Sequence, residues 1–313
     1  MPVHQNPGVQ RRFIISMVFT GLILVAEVIG GLLSGSLALL SDAAHVFMDL
    51  FALGLSLLAL RLSALPADDQ HSFGWHRLEV FAALFNGITL LIIAVGIWVE
   101  SVERLTNPVA IHSTEMLIIA VIGLVVNVAV ALVLGGHDHE HEHDHTENEV
   151  QKNSSQRKDL NLHSAFLHVV GDAISSIGVI IAALLIQFTN ILWIDPLISI
   201  LIGCIILVSA YRILRASLHI LIEGVPEGLS IHNINERISS LPGVVGVHDL
   251  HVWCICSGVI SLSAHIVVNN QNEKDPESEM LTIKGLLSQE FQIEHTTIQF
   301  EVCPCMNGEG GCN

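Results

Sequence analysis

The chain has 313 residues, of which 51% are hydrophobic and only 14% charged, where a soluble domain carries about 25% charged residues. Several apolar runs reach the roughly 20 residues that cross a bilayer as a helix, which excludes a soluble globular protein. The net charge of −17 speaks against a nucleic-acid partner, while 18 histidines, many of them clustered, make metal ions the first partner class to consider.

Taken in chain order, the apolar runs predict six membrane helices over 13–33, 38–60, 79–103, 115–135, 160–187 and 194–221. A helix satisfies all of its backbone hydrogen bonds internally, so it can stand in lipid. The first run is too long for the apolar core of a cleavable signal peptide and lacks a small-residue cleavage site, so none is expected. Asn107-Pro108 breaks the chain between the third and fourth helices, and Gly135-Gly136 ends the fourth. Arg11, Arg12, Arg61, Arg77, Lys152, Arg157, Lys158, Arg212 and Arg215 fall on one side of this arrangement. The positive-inside rule makes that side the cytoplasm, and an even number of spans puts both termini there.

The loop over 136–158 contains "HDHEHEHDH" and has no core-forming residues. It reads as a solvated segment able to gather divalent cations loosely. The transmembrane domain is expected to occupy residues 1–222 and a polar domain residues 223–313. In the polar domain "LSIHNINERISSL" and "ESEMLTIKGLLSQEF" read as helices, and "GVHDLHVWCI", "ISLSAHIVV" and "EHTTIQFEV" as strands. That αββαβ order suits a small α+β domain with its helices on one sheet face. Cys254 and Cys256 fall in the first strand, and Cys303, Cys305 and Cys312 crowd the C-terminal end. In a reducing compartment this usage suggests thiol or metal chemistry more than disulfides.

Two short stretches carry the chemistry. "HVFMD" places His45 and Asp49 four apart in the second helix, and "HVVGD" places His168 and Asp172 four apart in the fifth. Residues i and i+4 of a helix share a face. One such pair is as readily a buried hydrogen-bonded couple as a ligand pair. Two pairs in apolar helices mark an ion pathway, because ionisable groups inside a membrane face the bundle interior. Facing each other, they offer two imidazole nitrogens and two carboxylate oxygens, a four-coordinate set suited to Zn²⁺. Co²⁺, Cd²⁺, Mn²⁺ and Ni²⁺ remain competitors for such mixed ligands. Histidine must lose its proton to bind metal, so a site open to each side in turn could exchange metal for protons.

Glu27, Asp42, Glu79, Asn127 and Asp195 are the other polar groups of the apolar helices; they could line a wet path or bond helix to helix. There is no G-x-x-x-x-G-K-[ST] loop, which argues against an ATP-driven pump. A membrane metalloenzyme would need an open coordination position and a general base, as in H-E-x-x-H, and that motif does not occur. A metal sensor that signals without transport is the remaining alternative.

The six helices, the two HxxxD pairs, the histidine-rich loop, "HSFGWHRLE" before the third helix, and "HDLHVW" with "EHTTIQFE" near the end resemble the cation diffusion facilitator family, and within it the bacterial zinc transporters. The resemblance covers nearly the whole chain. It implies a homodimeric zinc/proton antiporter of the cell inner membrane, alternating between inward-facing and outward-facing states, with His45, Asp49, His168 and Asp172 as its transport site. It also implies a ferredoxin-like cytoplasmic dimerisation domain in which His248, His265 and Glu301 bind Zn²⁺. Some relatives carry a further site before the third helix. Here "DDQHSFGWH" keeps Asp68 and His71, but Trp75 stands where the third ligand belongs and His76 is displaced by one position. His295 lies six residues from Glu301, roughly 20 Å along a strand, too far to share an ion with it in one chain.

Overall fold

A computed structural model of the chain describes residues 7–135, 172–256, 258–269 and 276–302. His168, the whole histidine-rich loop over 136–158 and Cys303, Cys305 and Cys312 lie outside the described residues.

Among the described residues, six helices are long and apolar enough to cross a membrane. They are α1 (Pro7–Ser34), α2 (Leu37–Ser63), α3 (Arg77–Thr106), α4 (Ser113–Gly135), α5 (described over Asp172–Thr189) and α6 (Ile194–Leu221). Their ends fall close to those expected from hydropathy, apart from the start of the fifth, which lies outside the described residues. The polar segment gives α7 (Ile231–Ser239), β1 (Val244–Cys256), β2 (Val259–Val268), α8 (Pro276–Phe291) and β3 (His295–Glu301). This is the αββαβ order read from the sequence, and the α+β fold class stands.

The chain forms two compact units, Met1–Gly54 with Asn86–Tyr211, and Leu55–Phe85 with Arg212–Asn313. In the first unit, α1 packs closely on α4. A methyl group added at Gly30 would lie 1.9 Å from Ile119 Cδ1, so a side chain there would push the helices apart.

The turn from α1 to α2 is built by Gly35, whose φ of +71° is a conformation glycine adopts without a Cβ clash. Ser36 then caps α2, its hydroxyl accepting from the Leu39 amide at 3.1 Å. The next orphan amides of α2 are satisfied from another helix. Asp195 of α6 accepts from the amides of Leu37 at 2.8 Å and Ala38 at 3.2 Å, and from the Ser36 hydroxyl at 2.5 Å. Asp195 is 0% exposed. A carboxylate at a helix N-terminus in so dry a setting is tolerated because amide dipoles surround it. Arg104 of α3 donates to the Gly35 carbonyl at 2.6 Å, and the His112 amide donates to the Ser34 carbonyl at 2.9 Å. One end of α2 is thus tied to α3, α6 and the segment that leads into α4.

In the second unit, β1 pairs antiparallel with β2, and β2 parallel with β3, giving the order β1-β2-β3. Strand alternation sends Val252, Leu262, Ala264 and Ile266 to one face, where they pack with Ile234 and Ile238 of α7 and Ile283 and Leu287 of α8. Each large aliphatic side chain buried there contributes roughly 1.5–3 kcal/mol. The other face carries the histidines. Arg77 pairs with Glu223 at 3.1 Å, but both side chains are exposed, so the pair is worth about 0–1 kcal/mol.

Candidate metal centres

The first centre lies in the spans of the first unit. The i, i+4 spacing on α2 brings His45 Nε2 to 3.7 Å from Asp49 Oδ2, and α5 brings Asp172 Oδ1 to 3.8 Å from the same nitrogen. Ligand atoms of His45, Asp49 and Asp172 all lie within 4.8 Å of one another. Tetrahedral zinc with bonds near 2.0–2.1 Å holds its ligands about 3.3 Å apart. The two His–Asp distances are within about 0.5 Å of that spacing. His168, the fourth residue of the expected set, lies outside the described residues.

Around these three stands a second polar layer. Asp42, one turn before His45 and 2% exposed, accepts from Ser175 at 2.5 Å and Ser176 at 3.5 Å, while Asn127 donates to Ser176 at 3.4 Å. These bonds join α2 and α4 to α5 beside Asp172. Glu27 of α1, 1% exposed, interacts electrostatically with Asp42 and Asp172. It fits because Gly123 has no side chain: a Cβ there would lie 3.0 Å from Glu27 Oε1. Several carboxyl groups thus converge in a low-dielectric region, where a bare ionised carboxylate costs several kcal/mol. A divalent cation or bound protons offset that cost. Asp42, Asn127 and Asp195 are accordingly helix-to-helix bonds, one of the two roles open to them from sequence. Ser175 and Ser176 gave no signal of their own there, since serines are common in membrane helices.

The second centre lies on the sheet of the second unit. His248 of β1 stands directly across from His265 of β2, with ring centroids 5.2 Å apart. His248 Nε2 is 2.9 Å from Glu301 Oε2, and His265 Nδ1 is 2.8 Å from Glu301 Oε1. Ligand atoms of all three lie within 4.8 Å of one another. Glu301 is 7% exposed, and Gln299 donates to its Oε1 at 3.1 Å.

A bulge shapes this face. Between the pairs His248↔His265 and His251↔Ser263, β1 advances three residues while β2 advances two. The extra residue restores His251 to the face of His248, although a spacing of three would otherwise place them on opposite faces. Asp249 sits in the bulge with φ +50°. Its Oδ1 is 3.0 Å from His251 Nε2, and its Oδ2 is 3.8 Å from His265 Nε2. Gln299 and Asp249 lie in the motifs "EHTTIQFE" and "HDLHVW", but their places beside the ligands depend on register and on the bulge.

The segment before α3 is different. Asp68 and His71 meet, with 3.0 Å between Oδ1 and Nδ1, and the His71 ring lies against Trp75 at 3.8 Å between centroids. Desolvation works to raise the Asp68 carboxyl, but the amides of Gln70 and His71 and the His71 ring together hold it below its ordinary value. No three ligands near enough to share an ion gather there among the described residues. His295 lies edge-on to Phe73 at 5.6 Å, in an aromatic contact. Burial pushes the Cys254 and Cys256 thiols above their ordinary value, with Glu79 and Cys254 adding to the effect at Cys256.

Comparison with known proteins places these features. Residues 13–222 match the cation efflux transmembrane domain, and residues 226–303 match the cation efflux protein cytoplasmic domain. The metal cation efflux system protein CzcD of Cupriavidus metallidurans is 39% identical over 304 residues, covering 96% of this chain and 90% of that protein. The cadmium, cobalt and zinc/H(+)-K(+) antiporter of Bacillus subtilis is 37% identical over 300 residues, covering 95% and 91%. The zinc transporter ZitB of Pectobacterium atrosepticum is 35% identical over 304 residues, covering 96% and 88%.

Proposed function

The chain belongs to the cation efflux family, and on that premise we propose that it is a homodimeric antiporter of the inner membrane that expels Zn²⁺ in exchange for protons. Family membership and the six spans make it a multi-pass membrane protein that exports divalent metal cations. In this reading zinc is the cargo, protons are the counter-ion and both termini lie in the cytoplasm.

The observation that carries it is the cluster of His45, Asp49 and Asp172 within 4.8 Å in the membrane spans. His168 precedes Asp172 by the same four residues that separate His45 from Asp49, and we assign it as the fourth ligand. Two carboxylates cancel the charge of Zn²⁺, and two neutral imidazoles supply the nitrogen ligands that it favours over Mg²⁺ or Ca²⁺. Loading the ion requires deprotonated histidines. When the site faces the acidic side, protons return to the ligands and the ion leaves. The names of the antiporter and zinc-transporter relatives support both cargo and coupling. We assign His248, His265 and Glu301 to a separate zinc site of the cytoplasmic domain, supported by their matching cluster.

The test is zinc movement in sealed proteoliposomes with an imposed pH gradient and the membrane potential clamped at zero. Exchange predicts zinc moving toward the acidic side with protons moving in the opposite direction. Zinc flux that ignores the pH gradient would make the protein a uniporter, and no flux at all would leave a sensor or an enzyme.

A further inference from the structure

We propose that Asp249 is a positioning residue of the cytoplasmic-domain metal site, fixing which nitrogen of His265 meets the ion. This inference rests on the reading of His248, His265 and Glu301 as ligands.

His265 is held between two carboxylates. Its Nδ1 faces Glu301 at 2.8 Å, on the side where His248 also meets Glu301, and its Nε2 faces Asp249 at 3.8 Å. An ion shared with His248 and Glu301 is therefore taken by Nδ1. That leaves Nε2 as the N–H, and the group facing it is an anion. Imidazole ligands of metals nearly always donate their second N–H to a carboxylate, carbonyl or water, which fixes the ring and makes the ligating nitrogen a better donor. Closing 3.8 Å to a charge-assisted hydrogen bond takes a shift of about 1 Å.

The backbone is shaped for this. Asp249 is one of only four non-glycine residues with positive φ among the described residues, and it occupies the bulge where β1 gains a residue over β2. Bulges re-aim side chains, and aspartate is among the few residue types that tolerate the left-handed region. A regular strand would have turned residue 249 to the face opposite His248 and His265. His251, restored to the metal face by the same bulge, holds Asp249 Oδ1 at 3.0 Å and leaves Oδ2 toward His265. Sequence spacing alone gives none of this.

The experiment titrates zinc into the full-length protein in detergent, with histidine ring nitrogens labelled with ¹⁵N. The His265 signals are identified by their loss in His265→Gln, so saturation is read at that ring and not at other histidines. In the unchanged protein, zinc should shift Nδ1 while Nε2 keeps its proton. Asp249→Gly removes the carboxylate yet accepts the positive φ, and should raise the half-saturating zinc concentration about 10–100-fold. Asp249→Asn keeps an uncharged acceptor and should fall between. Half-saturation unchanged in Asp249→Gly, or zinc bound through Nε2, would overturn the proposal, while loss of binding in His248→Ala and Glu301→Ala would leave the site itself standing. If zinc does not shift His265 in the unchanged protein, the site reading fails and this inference falls with it.

Discussion

The two clusters use similar ligands on opposite scaffolds. In the spans, His45 and Asp49 are one turn apart on a single helix and meet Asp172 from α5. On the sheet, three ligands come from three strands, set by cross-strand register. The surroundings differ as well. The membrane cluster is ringed by the buried acids Glu27 and Asp42, and the sheet cluster by Gln299, Asp249 and His251. The ligands of the two clusters are buried to a similar degree, so the difference lies in what surrounds them. Glu27 and Asp42 add two buried carboxyl groups to the membrane cluster, a cost that a divalent cation or protons offset, whereas the sheet cluster is flanked by an amide, an imidazole and the exposed carboxylate of Asp249.

The largest effect that separates the two is on flux. Asp49→Ala and Asp172→Ala should each abolish zinc flux in proteoliposomes while the protein stays folded, because Zn²⁺ would be left with uncompensated charge in the membrane. Glu301→Ala should reduce zinc binding on the sheet and leave measurable flux. Near-normal flux in a well-folded Asp172→Ala protein would remove the membrane assignment.

Next in size is selectivity. His45→Asp exchanges a nitrogen ligand for an oxygen and adds a negative charge, so the metal range should widen, with Cd²⁺ gaining on Zn²⁺. Competitive flux measurements with both ions give the ratio, and an unchanged ratio would exclude His45 from selecting the ion.

A third change probes the scaffold. Asp195→Ala deprives the start of α2 of its partner from α6 and should cost about 1–2 kcal/mol. A thermal-unfolding scan in detergent should show a lower Tm. The Tm should barely move in Asp249→Asn, whose side chain is largely exposed.

The smallest effect concerns the strand cysteines. Burial keeps their thiols protonated, so alkylation at Cys256 should be slow at pH 8 and rise only above the ordinary thiol value of 9.0. Peptide mass spectrometry after timed labelling reads each cysteine separately. Fast labelling of Cys256 at pH 8 would show that the strand opens readily.

How much of this was legible follows from how far each residue's partners lie along the chain. The helix ends, the αββαβ order and the His45–Asp49 spacing are local patterns, because helix and strand periodicity are written in consecutive residues. Repeated spacing suggests the grouping of Asp172 with His45 and Asp49, which requires α5 to pack against α2. The sheet cluster could be suggested only by resemblance, since the alignment of His248 with His265 is a matter of strand register.

Sequence by itself determined that the chain spans a membrane and carries paired histidines and aspartates inside it, because hydropathy and i, i+4 spacing need no knowledge of distant residues. Only the tertiary structure decided that Asp195 caps α2 and that Asp42 bonds to Ser175, across separations of 158 and 133 residues. It also decided that a bulge at Asp249 returns His251 to the face of His248. A buried polar group must find a partner wherever the fold brings one, and a one-residue shift in register turns every following side chain to the other face of the sheet.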